Sequence, residues 1–429
     1  MPDHLLAGKR VLLGITGGIA AYKAADLCSK LAQAGAEVDV ILTEAAARFV
    51  APLTFAALSN RPARVDMWTS PGGEPIPHVR MAAAADLVIV APLSANTLAK
   101  LAVGLADNLL TSTLLATPIR DEGRRTNDEG RATEPREGVP WVLAPAMESH
   151  MWANPLTQAH AEALRARGVV LVGPGEGRLA SGALGVGRMA EPAEILAAAR
   201  LALARGGPLA GRRVVITAGG TQEPLDPVRF LTNASSGKMG VALAEAARDL
   251  GASVTLIHAP LAVALPPGVE CIPVHTAVEM CDAVLACQPQ TDVLIGAAAV
   301  ADFRPADPTA QKIKKMPGQE GLTVGLVRNP DILAEVAARR AETGWPRLTI
   351  GFAAETQDLL ANAAAKLAAK QLDIIVANDV TEPGSGFGSD DNRVTLLYAD
   401  GRTEALTAMP KAEVAWRVLD AALGLLEAC

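Results

Sequence analysis

The chain reads LAGKRVLLGITGG from Leu6 to Gly18 and LAGRRVVITAGG from Leu209 to Gly220. Each copy is an apolar run that closes on paired glycines and leads into a helical stretch, the pattern of a strand feeding a helix at the start of an α/β domain. Just before the second copy, AEILAAARLALARGGPLAG from Ala193 reads as a helix stopped by Gly206, Gly207 and Pro208, the usual punctuation after a helix C-terminus. The chain therefore divides near Arg205 into a first domain of residues 1–205 and a second of residues 206–429. Its length of 429 residues agrees, being more than one hydrophobic core usually serves.

Further runs repeat the signal in both halves. EVDVILT, DLVIVAP, WVLAPA and VVLVGP follow VLLGIT in the first, and SVTLIHA, VLIGAAA, LTIGFAA and DIIVAND follow RVVITA in the second, with VTLLYAD near the end. Short continuous apolar strands alternating with Ala/Leu-rich helices predict parallel sheets covered on both faces. Both domains are expected to be doubly wound and Rossmann-like, with ligands beyond the carboxyl ends of the strands. The charged stretch Arg120–Gly138, with both signs mixed, is expected to be a disordered surface insertion.

Half of the residues are apolar, a fifth are charged, and the formal charge is -7. Such a chain offers no general basic field for nucleic acid, although local cationic pockets for nucleotides remain open. No basic-then-apolar leader precedes the first strand and no run of about 18 apolar residues follows, so no membrane segment is expected. Cys28, Cys271, Cys281, Cys287 and Cys429 form no C-x-x-C pair and no metal-ligand spacing, which predicts reduced thiols in a cytoplasm.

In the first half, GITGGIAAYKAADL sets small residues where a strand turns into a helix, so that backbone N–H groups can hold a phosphate or merely make a tight turn. It lacks G-x-G-x-x-G, and EVDVILT ends in Thr43 rather than an acid for a ribose. A mononucleotide fits better than a nicotinamide dinucleotide, and a two-domain dehydrogenase is disfavoured. After the strand DLVIVAP, the run Ala91–Leu110 supplies Ser94, Asn96, Thr97, Asp107 and Asn108.

Together with His78 in PIPHVR and PAMESHMW at Pro145–Trp152, this run resembles the flavoprotein family of cysteine decarboxylases that bind FMN. The resemblance implies a flavodoxin-like domain in which Gly17, Gly18, Thr43, Ser94, Asn96 and Thr97 line the FMN site. It also implies that His78 is the catalytic base, a role suited to a side chain that titrates near working pH, and that Met147 and the residue after it meet the substrate. Two positions depart from the family. Glu148 stands where the family has the Asn that holds the substrate carboxylate, and an ionised Glu would repel it. Ser181, in GRLASGALGVGRM, replaces the cysteine that gives a proton in the reductive step, and a hydroxyl is a far weaker acid than a thiol. Either another acid serves, or serine suffices, or this half is slow or releases an oxidised product.

In the second half, NASSGKMG at Asn233–Gly240 precedes a helix, so that Ser235, Ser236 and Gly237 make either a plain N-cap or an anion site. Gly296, Ala297 and Ala298 are small enough for a nucleotide to approach, Asp302 follows, and Lys312, Lys314 and Lys315 lie in a loop able to close over phosphates. With ITAGGTQEPLDPVRFLTNASSGKMG, RNPDIL, GFAAET and ANDV, the stretch from Arg212 to about Asn392 closely resembles phosphopantothenate-cysteine ligase.

The whole chain thus resembles the bifunctional decarboxylase and ligase of coenzyme A biosynthesis. The resemblance implies that CTP activates 4'-phosphopantothenate as an acyl-cytidylate, that the cysteine amine displaces CMP, and that the product is decarboxylated to 4'-phosphopantetheine. Asn233 would handle the acyl-cytidylate and Lys312 the phosphate charge. Gly296, Ala297, Ala298, Asp302, Pro330, Asp331, Ile332, Leu333, Phe352, Lys366 and Lys370 would surround CTP. Lys366 and Lys370 are expected on one face of a helix from Asp358 to Gln371, opposite Leu360 and Leu367. Mg2+ should accompany the triphosphate with no ligands assignable. A homo-oligomer built from trimers of the first domain and dimers of the second, up to a dodecamer, is also implied. The alternative is a ligase alone, with an impaired flavin-binding first domain.

Overall fold

The computed structural model describes residues 4–68, 76–119, 138–314, 320–355, 358–379 and 389–428. The charged insertion, apart from Ile119 before it and Gly138 at its end, lies outside the described residues, as do Lys315 and Cys429. Contacts divide the chain into two units, Met1–Ala204 and Arg205–Cys429.

In the first unit the apolar runs become strands β1 (Arg10–Ile15), β2 (Glu37–Leu42), β3 (Leu87–Leu93), β4 (Trp141–Pro145) and β5 (Val170–Leu171). They form a five-stranded parallel sheet in the order β2-β1-β3-β4-β5, the flavodoxin-like order. Alternate residues serve opposite faces. Leu13 and Ile15 pack with Leu27 and Leu31 of helix Ala21–Gln33 and Ile195 of helix Pro192–Ala204. Leu12 and Val88 pack with Leu98, Leu110, Leu114 and Leu164 from three other helices. Every residue of β3 is buried, which explains its unbroken apolar run. The chain departs to opposite faces after β1 and β3, leaving a crevice at their carboxyl ends. An antiparallel hairpin, Gly175–Arg178 with Leu184–Arg188, follows the sheet.

The second unit contributes β6 (Arg213–Ala218), β7 (Ser253–His258), β8 (Glu270–Pro273), β9 (Val293–Gly296), β10 (Leu348–Glu355), β11 (Ile374–Asp379), β12 (Val394–Tyr398) and β13 (Thr403–Ala405). Their order is β8-β7-β6-β9-β10-β11-β12-β13, the Rossmann arrangement of six parallel strands with two antiparallel strands added at one edge. The edge strand β8 is absent from the sequence reading, because its four residues include a charged Glu and a Pro and form no apolar run. Helices Lys238–Asp249 and Lys411–Ala428 pack along one another over one face, with Leu243, Val414 and Val418 in the same core as Val214 and Ile216 of β6.

Candidate functional site

At the carboxyl edge of the first sheet, Thr16 is buried and clamps the crevice shut at its base. Its hydroxyl donates to Pro92 O and accepts from Ser94 N, each at 2.8 Å, tying the end of β1 to the end of β3. The sequence reading passed over it. The two glycines that follow differ. A Cβ at Gly17 would lie 2.5 Å from Ala45 Cβ, so packing alone demands glycine there, whereas a Cβ at Gly18 would meet nothing within 4 Å. Gly18 thus faces open space. Thr43 caps the short helix Glu44–Ala47 by accepting from Ala46 N at 3.2 Å, and Ser94 caps helix Ala95–Val103 by accepting from Thr97 N at 3.3 Å. Thr97 is buried and Asn96 exposed at this same helix start.

Asp107 and Asn108 hold the scaffold rather than the crevice. Asp107 pairs with Lys100 at 2.6 Å, and that hydrogen bond holds its carboxyl below the usual range. Asn108 and Thr111 form a reciprocal capping box on helix Leu109–Ala116. His78 is the second residue of helix Pro77–Ala84, and its Nδ1 is buried with no hydrogen-bond partner among the described residues. A buried imidazole nitrogen left unsatisfied is costly in a structural histidine and suits one that awaits a substrate.

The hairpin packs on the loop after β4. Met147 N donates to Gly187 O at 3.0 Å, and any Cβ at Gly187 would collide with Met147 O. Glu148 caps helix Ser149–Ala153, its carboxylate accepting from His150 N at 2.7 Å. The helix terminus partly offsets the charge that the sequence sets against a substrate carboxylate. Ser181 is exposed in the turn of the hairpin.

The second unit gathers its predicted residues more completely. A cavity of about 780 Å³ at the carboxyl edge is lined by Asn233, by Gly296 to Asp302, by Pro330 to Leu333, and by Phe352, Lys366 and Lys370. Helix Lys238–Asp249 opens onto it with Gly237 at the N-cap, φ 74°, and no side-chain cap hydrogen bond. The Ser235 hydroxyl accepts from Gly237 N at 3.4 Å. Asn233 Nδ2 donates to Val300 O at 2.9 Å.

Several predicted residues have packing duties. Gly296 lines the cavity, and a Cβ there would lie 3.1 Å from the end of the Leu333 side chain, so it also packs closely on that leucine. Ile332 is buried in the core, and Asp331 caps helix Ile332–Thr343 while pairing with Lys370 at 3.1 Å. Lys366 lies in helix Leu359–Ala369, and Lys370 is its C-cap. The apolar face is Leu359, Ala363 and Leu367, whereas Leu360, expected among them, is half exposed because it points away from that stripe.

Lys312 is not among the residues lining the cavity. It is exposed beside Ile313, whose N–H donates to Asp226 at 3.1 Å and whose carbonyl accepts from Arg229 at 2.7 Å. Arg229 in turn holds the buried Asp226 carboxyl far below the usual range.

The cavity also recruits residues not assigned from sequence: Lys238, Arg328, Asn378, Asn392 and Lys411. Lys238 and Lys411 each begin a helix, where a cation opposes the helix dipole. Lys411 is buried, its Nζ donating to Ser389 O at 2.6 Å, and burial followed by the charge of Lys238 pushes its pKa down. Lys238 pairs with Asp390 at 2.6 Å and holds that carboxyl low. Lys238 lay in a quoted motif, but Lys411 follows a Met-Pro near the end of the chain with no local signal. With Lys366, Lys370 and Arg328 against Asp302 and Asp331, the lining carries an excess of cations, which an anionic ligand would relieve.

A flavodoxin-ordered sheet followed by a Rossmann-ordered one, each with polar groups gathered at its carboxyl edge, makes this a two-unit α/β protein of the kind that carries enzyme sites at that edge. Residues 2–201 match the Flavoprotein family, and residues 209–425 match the DNA/pantothenate metabolism flavoprotein C-terminal domain. The coenzyme A biosynthesis bifunctional protein CoaBC of Bacillus subtilis is 46% identical over 418 residues, covering 97% of each chain. That of Mycobacterium tuberculosis is 44% identical over 441 residues, covering 100% of each. A crystal structure of the C-terminal domain of a CoaBC protein is 38% identical and covers 52% of this chain and 100% of that one, with a TM-score of 0.44. The chain belongs to the CoaBC family of coenzyme A biosynthesis bifunctional proteins. It is an enzyme with decarboxylase and ligase activities. Among the described residues no helix is long and apolar enough to cross a membrane.

Proposed function

We propose that the second unit joins 4'-phosphopantothenate to L-cysteine using CTP, through an acyl-cytidylate, and that the first unit decarboxylates the phosphopantothenoylcysteine to 4'-phosphopantetheine with FMN. The observation that carries this reading is the cation-rich cavity in which Asn233, Asp302, Lys366 and Lys370 converge beside the N-terminus of helix Lys238–Asp249. Activation exchanges a poor leaving group for CMP, and the cations offset charge that builds on the phosphates during that exchange. Asn233 is assigned to the acyl-cytidylate, and Ala297, Ala298, Pro330 and Phe352 to the walls around CTP. Lys312 is assigned to the phosphates, which requires its segment to move toward the cavity. Mg2+ is assigned to the triphosphate. Among the described residues no group of three or more His, Cys, Asp or Glu could hold a metal, so phosphate oxygens and water would supply most of its ligands, with Asp302 a carboxylate of the cavity lining.

In the first unit FMN is assigned to the carboxyl edge of the sheet at the β1/β3 switch point, with Gly17, Gly18, Thr43, Ser94, Asn96 and Thr97 assigned to it; Gly18, beside which a Cβ would meet nothing, leaves room there. Bound FMN supplies the electron sink that lets the cysteinyl carboxylate leave as CO2. The unsatisfied His78 Nδ1 would take the proton released as the sulfur-bearing carbon is oxidised. Met147 and Glu148 are assigned to the substrate, with Glu148 already engaged by His150 N. A second reading has a specific basis. Ser181 brings only an exposed hydroxyl where the family has a thiol, so the reductive step in this half is slow or incomplete. A cytoplasmic location and a homo-oligomer rest on family membership; exposed Leu53, Trp68 and Leu156 offer apolar surface for the latter.

The test is to incubate the purified protein with 4'-phosphopantothenate, cysteine, CTP and Mg2+ and to identify acyl products by mass spectrometry. Phosphopantetheine supports both steps, and accumulated phosphopantothenoylcysteine or an oxidised product supports the second reading. Absence of any acyl product overturns the proposal.

A further inference from the structure

A second cavity of the first unit, about 310 Å³, takes no part in either proposed reaction. Its walls are Leu101, Leu105, Leu114, Leu115, Pro118 and Ile119, from the C-terminal ends of helices Ala95–Val103 and Leu109–Ala116 and the residues after them. Trp141 also lines it, and Trp141 is the first residue of β4. The cavity therefore lies toward the amino edge of the sheet, whereas Thr16, Ser94 and Glu148 lie at the carboxyl edge. A ligand here would not compete with one in the β1/β3 crevice.

One polar feature distinguishes it from an apolar packing defect. Arg167, an exposed residue, also lines the cavity and has no ion-pair partner among the described residues, whereas Lys100, another lining residue, is already engaged by Asp107. Apolar walls with one unpaired cationic side chain make the polar-handled hydrophobic pocket of a small-molecule site, at the lower end of the usual size range of about 300–1,000 Å³.

We propose that this cavity binds a small amphipathic monoanion: an apolar aryl or branched aliphatic body against the leucines and the Trp141 side chain, and a carboxylate held by Arg167. Arg167 favours a carboxylate because its planar fork matches the two oxygens.

The probe is 4-phenylbutyrate, titrated into the intact chain by isothermal calorimetry and by saturation-transfer NMR, with the neutral 4-phenylbutyramide alongside. Saturable binding is expected, weakened about tenfold for the amide and about tenfold by Arg167→Ala, the loss of one charge-assisted contact. Leu115→Trp, at an exposed position of the wall, should fill the cavity and abolish binding, while thermal melting shows that the variant folds. Saturating FMN should leave the probe in place. No saturable binding up to about 10 mM, a range in which even millimolar affinity would show, overturns the proposal. So does undiminished binding to Leu115→Trp, equal binding of acid and amide, or displacement by FMN.

Discussion

Gly240 offers the sharpest link between packing and the ligase site. It is the third residue of helix Lys238–Asp249, and a Cβ there would sit 3.1 Å from Thr217 O and Ala218 Cα and still closer to Ala218 Cβ. Neither alanine Cβ has a rotamer to yield, so Gly240→Ala must push the start of the helix away from the end of β6 by roughly 1 Å to restore an ordinary carbon contact. Overpacking of this kind costs about 1–3 kcal/mol, offset by about 1 kcal/mol of helix propensity gained over glycine. The net loss, up to about 2 kcal/mol, should lower the melting temperature of the second unit by up to about 8 °C at its size. The same shift moves the helix N-terminus and Lys238 relative to Asn233. A displacement of about 1 Å can cost up to a hundredfold in rate, so CTP-dependent pyrophosphate release with phosphopantothenate should fall more than stability alone explains. Gly424→Ala is the control: it is helical, exposed, and meets nothing within 4 Å. It should hold or raise stability, by up to about 1 kcal/mol, and leave the rate unchanged. If Gly240→Ala matches the parent protein in both melting and rate, the close approach of helix and strand does not set this site.

Ser181→Cys should raise phosphopantetheine formation at least tenfold while leaving pyrophosphate release unchanged, the contribution expected of a positioned acid; no gain would show that another group already donates the proton. Lys411→Met removes a buried cation from a helix start, so melting should hold steady or rise, whereas the KM for CTP or phosphopantothenate should rise about tenfold or more, as for one lost charge-assisted contact. Lys312→Ala should reduce the rate of activation but leave nucleotide affinity in the absence of phosphopantothenate nearly unchanged, since the lysine lies outside the cavity lining; an equal loss of affinity would place it at the ground-state site. Burial pushes the Cys28 thiol up to about 11. The folded chain therefore keeps that proton while the unfolded chain releases it near 9.0, so this contribution to stability is full below pH 9 and is lost as pH rises toward 11. Cys28→Ala should flatten that part of the melting profile, and native Cys28 should resist iodoacetamide at pH 8.

Much was legible in the chain itself. The paired openings at Leu6 and Leu209, the continuous apolar runs and the Gly-Gly-Pro stop place the parallel strands and the division into two halves, because strand burial on both faces and helix termination are local properties of composition. The motifs that contain Asn233, Gly296, Arg328 and Phe352 line one cavity, and Gly296 and Arg328 each end a strand. Other features had no local trace. The order β2-β1-β3-β4-β5 in one sheet and β8-β7-β6-β9-β10-β11-β12-β13 in the other depends on which edge each crossover joins, a choice made by packing of whole helices. The meeting of Lys238 with Lys411 depends on two helices laid side by side from distant parts of the chain. The meaning of individual glycines was likewise decided in three dimensions. Gly17, Gly240 and Gly296 make room for Ala45, Ala218 and Leu333, while Gly18 alone of these four faces open space, because a missing Cβ acquires its reason only from the atom that would have met it.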